Sequence, residues 1–181
     1  MTGNNPNIEI TPSRGIDLPI RYVYLAGYMS GEKLEETMAW RKRIRNYFRY
    51  WDGTNKAFPY AFLDPYNGNE GKSIDQKGLT SHIPPKAIID SDLLSVKHAD
   101  IIVANLDTFG SDRPMVGTHW ELAWAYLLQK PFILIVPKDK EETYKKHPFT
   151  AQASWIVTSV DELLEKKILE GFYRRMAGAI Y

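Results

Sequence analysis

The chain has 181 residues, enough for one well-packed domain and too few for two of ordinary size. Its 23 basic and 22 acidic side chains leave a net charge of +1, so no strong field points to a nucleic-acid polymer or an anionic membrane. The absence of cysteine excludes disulfides, thiolate metal sites and a cysteine nucleophile, and fits a reducing cytoplasmic setting. The opening residues lack the basic start and apolar run of a signal peptide, and no run approaches the ~18 apolar residues of a membrane span. A soluble cytoplasmic protein is expected.

Residues 1–20 are rich in Asn, Pro and Gly without a sustained period, and read as a flexible N-terminal arm ahead of a single catalytic domain over 21–181. "RYVYLAG" (Arg21–Gly27) is a short apolar, β-prone run stopped by glycine, the pattern of a strand entering a tight βα turn. A helix is predicted from about Lys33 to Tyr50, with Ile44, Tyr47, Phe48 and Trp51 on one apolar stripe and the run "RKRIR" on its solvated face. "YAFLDP" (Tyr60–Pro65) is a second strand, followed by a long polar loop over Tyr66–Pro85 of the kind that often forms a lid. A helix over about Lys86–Lys97 leads to "ADIIVANL" (Ala99–Leu106), whose continuous apolar character suits a strand buried on both faces. Next come a loop, a helix in "THWELAWAYLLQ", a buried strand "PFILIVP" (Pro131–Pro137), a weaker strand "SWIVTS" (Ser154–Ser159), and a closing helix over Val160–Leu169. Strands alternating with helices imply parallel βαβ units, hence a three-layer α/β/α sandwich with about five strands, Rossmann or flavodoxin-like.

In such folds the ligand site lies beyond the carboxyl ends of the strands. Gly27, Tyr28, Met29 and Ser30 follow the first strand, Asp64, Tyr66 and Asn67 the second, and Asp107 through Gly117, Thr118 and Glu121 the third. Asp92, on the preceding helix, is placed to face the same cleft. The usual nucleotide and hydrolase signatures are missing: no P-loop, no G-x-G-x-x-G after the first strand, and no G-x-S-x-G elbow. His82, His98, His119 and His147 lack metal-ligand spacing, so no metal is expected. Carboxylates and tyrosines remain, and glycosidic chemistry needs a carboxylate nucleophile plus an acid for the leaving group, a pair that Glu121 and Asp92 would supply. Thr118-x-x-Glu121 also has the spacing of a capping box, and on spacing alone that reading of Glu121 is the favoured one.

Four segments together resemble the nucleoside 2-deoxyribosyltransferase superfamily, which holds base-exchanging transferases and related nucleotide N-glycosidases: "VYLAGYMSG", "DSDLLSVKHADIIVANLD", "VGTHWELAWAYLLQKPFILIV" and the terminal "AGAIY". The resemblance implies that Glu121 is the nucleophile at C1′, that Asp92 assists protonation of the departing base, and that Tyr24 positions the nucleophilic carboxylate. It places Gly27 and Tyr28 where the base is held and Tyr181 over a site, its own or a neighbouring subunit's. The pattern's aspartate six residues before the nucleophile, which binds sugar hydroxyls, is Met115 here, and the glycine after Glu-Leu is Ala123. The implied function is cleavage of the N-glycosidic bond of a (deoxy)nucleoside with transfer of the deoxyribosyl group to another nucleobase. Hydrolysis of a nucleoside or its 5′-monophosphate, and a non-catalytic nucleotide-binding module, stand as alternatives. Substrate partners would be a nucleoside or nucleotide and a free nucleobase, with no cofactor, in a homo-oligomer. Contacts are expected from Ser30, Asp64, Tyr66 and Gly117 as well.

Overall fold

The computed structural model describes residues 20–29, 34–49, 60–65 and 84–176. The arm over 1–19, most of the loop after the second strand, and Ser30, Trp51, Tyr66, Asn67 and Tyr181 lie outside the described residues. Five parallel strands, β1 (Arg21–Gly27), β2 (Tyr60–Leu63), β3 (Ile101–Asn105), β4 (Phe132–Ile135) and β5 (Trp155–Val157), form one sheet in the order β2-β1-β3-β4-β5. This is the doubly wound, flavodoxin-like order, in which the winding reverses between β1 and β3. Register pairs Tyr24 with Ile102 and Gly27 with Asn105, so β1 and β3 end side by side at that reversal.

The period-2 alternation of the strands sorts side chains into two cores. Val23 and Leu25 of β1, with Ile101 and Val103 of β3 and Ile133 and Ile135 of β4, face one side. There they meet α1 (Leu34–Arg49), α5 (Val160–Glu165) and α6 (Ile168–Met176). Tyr24 and Ala26, with Ile102, Ala104 and Leu134, face the opposite side, covered by α2 (Pro85–His98) and α3 (Val116–Leu127). A short helix α4 (Glu141–Lys146) lies between β4 and β5, in a stretch to which the hydrophobic pattern assigns no element. The expected three-layer sandwich is therefore the observed one.

Three local expectations are corrected. The run "RKRIR" is not uniformly solvated: Lys42 and Arg43 are exposed, but Arg41 is fully buried in line with Thr37, Ile44 and Phe48 on the inner face of α1. The fourth-strand-bound helix starts at Val116 rather than Thr118. Its N-cap is Met115, whose side chain is buried, and the His119 amide donates to the Met115 carbonyl at 3.2 Å to close the first turn. The closing helix is two helices. Lys167 takes the left-handed conformation (φ 50°) at the break, letting α6 turn so that Ile168 and Leu169 bury beside Leu163 and Leu164. A lysine there is strained by roughly 1 kcal/mol, less than the burial of two aliphatic side chains returns.

Candidate active site

Tyr24 is held by main-chain pairing to β3 and points into the core beneath α2 and α3. Its hydroxyl donates to Glu121 Oε1 at 2.7 Å. Glu121 lies beyond the first turn of α3 and is only 7% exposed. Neither Thr118 nor Glu121 occupies a cap position, and α3 has no side-chain cap, so the capping-box reading fails. The carboxylate turns inward to the tyrosine instead of back toward the helix start.

The second oxygen of that carboxylate, Oε2, is buried with no hydrogen-bond partner among the described residues. Burial pushes the Glu121 carboxyl up to about 7; the Tyr24 hydroxyl bond opposes the shift, the charge of Asp92 adds to it, and the Arg41 guanidinium opposes it. Asp92, half-buried on α2, is pushed up to about 6 by burial, with the Tyr24 hydroxyl opposing. Tyr24 itself is raised well above its ordinary value by burial and by the two acids, so it remains a donor. Thus strand β1, helix α2 and helix α3 each contribute one member of a Tyr–Asp–Glu group at the winding reversal.

The other expected residues have different surroundings. Gly27 ends β1, and its carbonyl accepts from Arg41 Nη2 at 3.2 Å. A Cβ there would lie 3.0 Å from Trp40, 3.1 Å from the Asn105 carbonyl oxygen and 3.3 Å from Arg41 Nη2, so close packing requires glycine. Tyr28 is buried, and its hydroxyl shares a 2.5 Å hydrogen bond with Ser111 Oγ, tying the β1–α1 turn to the β3–α3 loop. The Asp64 carboxylate is buried between Arg41 Nε at 3.5 Å and Arg45 Nη1 at 3.1 Å. Met115 is buried in the core with Tyr24 and Tyr28, whereas Gly117 is exposed on the first turn of α3. Arg41 and Ser111 were not singled out by the sequence. The position of Arg41 in the stripe Thr37, Arg41, Ile44, Phe48 is the signal that marks it, since its spacing is that of the buried face.

A groove of about 780 Å³ lies elsewhere, between α3 and the α4 region, lined by His119, Leu122, Tyr126, Tyr144 and Phe149 among others. It does not include Tyr24, Asp92 or Glu121. Among the described residues no three His, Asp or Glu side chains are grouped to hold a metal ion, and no helix is long and apolar enough to cross a membrane.

A doubly wound α/β fold with a buried Tyr–carboxylate pair at its winding reversal defines a class of protein that handles small ligands beyond the strand ends. The description "Nucleoside 2-deoxyribosyltransferase" matches residues 23–167, most of the chain, and the chain belongs to that family. Among solved structures, it is similar to a 2-desoxiribosyltransferase from Leishmania mexicana, with 20% identity, a TM-score of 0.46, and coverage of 68% of this chain and 71% of that one. It is also similar to the CMP N-glycosidase BcmB of Clostridium botulinum, with 18% identity, a TM-score of 0.47, and coverage of 82% and 99%. No curated protein matches the chain.

Proposed function

We propose that the protein cleaves the N-glycosidic bond of a deoxynucleoside with Glu121 as nucleophile and transfers the deoxyribosyl group to a second nucleobase. The observation that carries this reading is the 2.7 Å bond from Tyr24 to one carboxylate oxygen of Glu121 while the other oxygen, also buried, has no described partner. Such a carboxylate is oriented through Oε1, while Oε2 has no described hydrogen bond to compete with a new bond. In the first step Oε2 bonds to C1′ as the C1′–N bond breaks, and the departing base takes a proton from Asp92. In the second step a nitrogen of the incoming base bonds to C1′, the ester bond breaks, and the proton of that base returns to Asp92. The carboxylate beneath C1′ stabilises the oxocarbenium charge that develops in both steps.

In a second reading water takes the place of the second base; Met115 fits neither the aspartate of the resembling transferases nor the serine that resembling hydrolases often have at this position, so it does not choose between them. Its side chain is apolar and buried where the resembling transferases keep an aspartate for the sugar hydroxyls. The test is incubation with a deoxynucleoside and a different free base. An exchanged nucleoside supports transfer and free sugar supports hydrolysis. Absence of both, together with nucleoside binding that survives Glu121→Ala, would show a binding module instead. A sugar ester on Glu121, trapped and located by mass spectrometry, is the expected direct evidence.

A further inference from the structure

The loop between β3 and α3 is fixed residue by residue. Asn105 Oδ1 accepts from the Asp107 amide at 3.0 Å, and Asp107 Oδ1 accepts from the Phe109 amide at 2.7 Å. Phe109 takes the left-handed conformation (φ 53°), which a bulky residue holds only where its surroundings impose it, and it packs against both cores. The Ser111 amide then donates to the Thr108 carbonyl at 3.0 Å, and the Ser111 hydroxyl meets that of Tyr28 at 2.5 Å. Gly27 and Asn105 lie side by side at the ends of β1 and β3, so this bond spans the winding reversal just beyond the strand ends, where such folds hold their ligands.

The Tyr28–Ser111 pair has two hydroxyl hydrogens and one bond between them, so one hydrogen is left over. Tyr28 is buried, and a buried donor left unmade is costly, so its hydrogen is the one that goes to Ser111. Ser111 Oγ also accepts from the Arg113 amide at 3.3 Å, which occupies its second lone pair. What remains is the Ser111 hydroxyl hydrogen, on a partly exposed side chain and with no acceptor among the described residues. The pair therefore offers the cleft a donor and no acceptor.

We propose that Ser111 is a specificity-determining residue, whose hydroxyl donates to an oxygen of the substrate that accepts without donating. The keto oxygen of a nucleobase and an oxygen of a phosphate share this chemistry. The proposal rests on the reading of the strand-end cleft as the nucleoside site. An amino group at the same place would meet a donor with a donor, and Tyr28 holds Ser111 in the state that rejects it.

The test compares wild type, Ser111→Ala, Ser111→Thr and Tyr28→Phe by kcat/KM on matched substrates. These are deoxyinosine against deoxyadenosine, deoxyuridine against its 2-thio and 4-thio forms, and each nucleoside against its 5′-monophosphate. Ser111→Ala is expected to lose about 2- to 10-fold on the member that carries the acceptor, with no comparable loss on its counterpart. A loss on a keto base alone identifies the base as the source, and a loss confined to monophosphates identifies the phosphate. Ser111→Thr keeps the hydroxyl and should keep the discrimination. Tyr28→Phe frees a lone pair on Ser111, so discrimination of deoxyinosine over deoxyadenosine should narrow if the base is the source and stay unchanged if the phosphate is. An equal loss on every substrate in folded Ser111→Ala marks a structural tie only and overturns the proposal, as does no loss. If Ser111→Ala does not fold, Ser111→Thr and Tyr28→Phe decide, and wild-type selectivity in Tyr28→Phe on both the base and the phosphate pairs overturns it. If wild type cleaves no nucleoside, the proposed function falls, and calorimetric binding of the same pairs decides the role of Ser111, with unselective weakening or no binding counting against it.

Discussion

Glu121 and Asp92 are pushed toward neutrality by the same cause, burial, and reach about 7 and about 6. The proposed reaction needs Glu121 ionised and Asp92 protonated; since Glu121 holds its proton more tightly, this is the minority tautomer of the singly protonated pair, which is populated in that interval. The pH profile of kcat/KM is therefore expected to be bell-shaped, with its maximum between about 6 and 7. A maximum above pH 9 would contradict it. Tyr24→Phe removes a bond to a charged acceptor, a loss of about 1.5–3 kcal/mol and so about 10- to 100-fold in rate. Because that bond lowers the Glu121 pKa, the higher of the pair, the alkaline limb should also move up in this variant. Asp92→Asn should cost about 10²- to 10⁴-fold, most severely for nucleosides whose base is a poor leaving group. Steady-state kinetics over a series of bases checks this.

At the scale of elements, the strands were legible because their physics is simple. "IIVAN" and "FILI" are continuous apolar runs, as strands covered on both faces must be, and they became β3 and β4. Helix ends were less legible because several signals compete there. Thr118-x-x-Glu121 carries the capping spacing but lies inside α3, whose start is set by the burial of Met115. A side-chain cap does form at α5: Ser159 Oγ accepts from the Glu162 amide at 3.0 Å, and Glu162 reaches back to the Thr158 amide at 2.7 Å. Ser159→Ala is expected to destabilise the protein by about 1 kcal/mol in chemical denaturation. Nothing in "EKKIL" announces the break between α5 and α6, since neither glycine nor proline is present. Lys167→Gly should relieve the left-handed residue and raise stability by about 0.5–1 kcal/mol, seen as a higher thermal midpoint. Arg41 was hidden for a related reason. In "RKRIR" charge suggests solvent, while the helical period assigns that one position to the core.

At the scale of the molecule, the reacting group costs the fold stability. The folded-state pKa of Glu121 lies above its ordinary value of 4.5, so the native state binds more protons than the unfolded state between about 4.5 and 7. The sign follows: stability contributed by this site falls as pH rises through that window, and it is lowest once the buried carboxyl is ionised. Glu121→Gln keeps an acceptor for Tyr24 and removes the charge. It is expected to abolish turnover yet stabilise the protein by up to about 3 kcal/mol at pH 8, with little gain at pH 4. Urea denaturation at the two pH values measures the difference, and equal or lower stability of the variant at pH 8 would count against the buried charge. The unmatched Oε2 of Glu121 also has a pharmacological consequence. A sugar mimic with a protonated ring nitrogen would bring it both a donor and a counter-charge in a water-poor setting. Its affinity should tighten as pH rises through about 7 and weaken again only when the inhibitor loses its own proton.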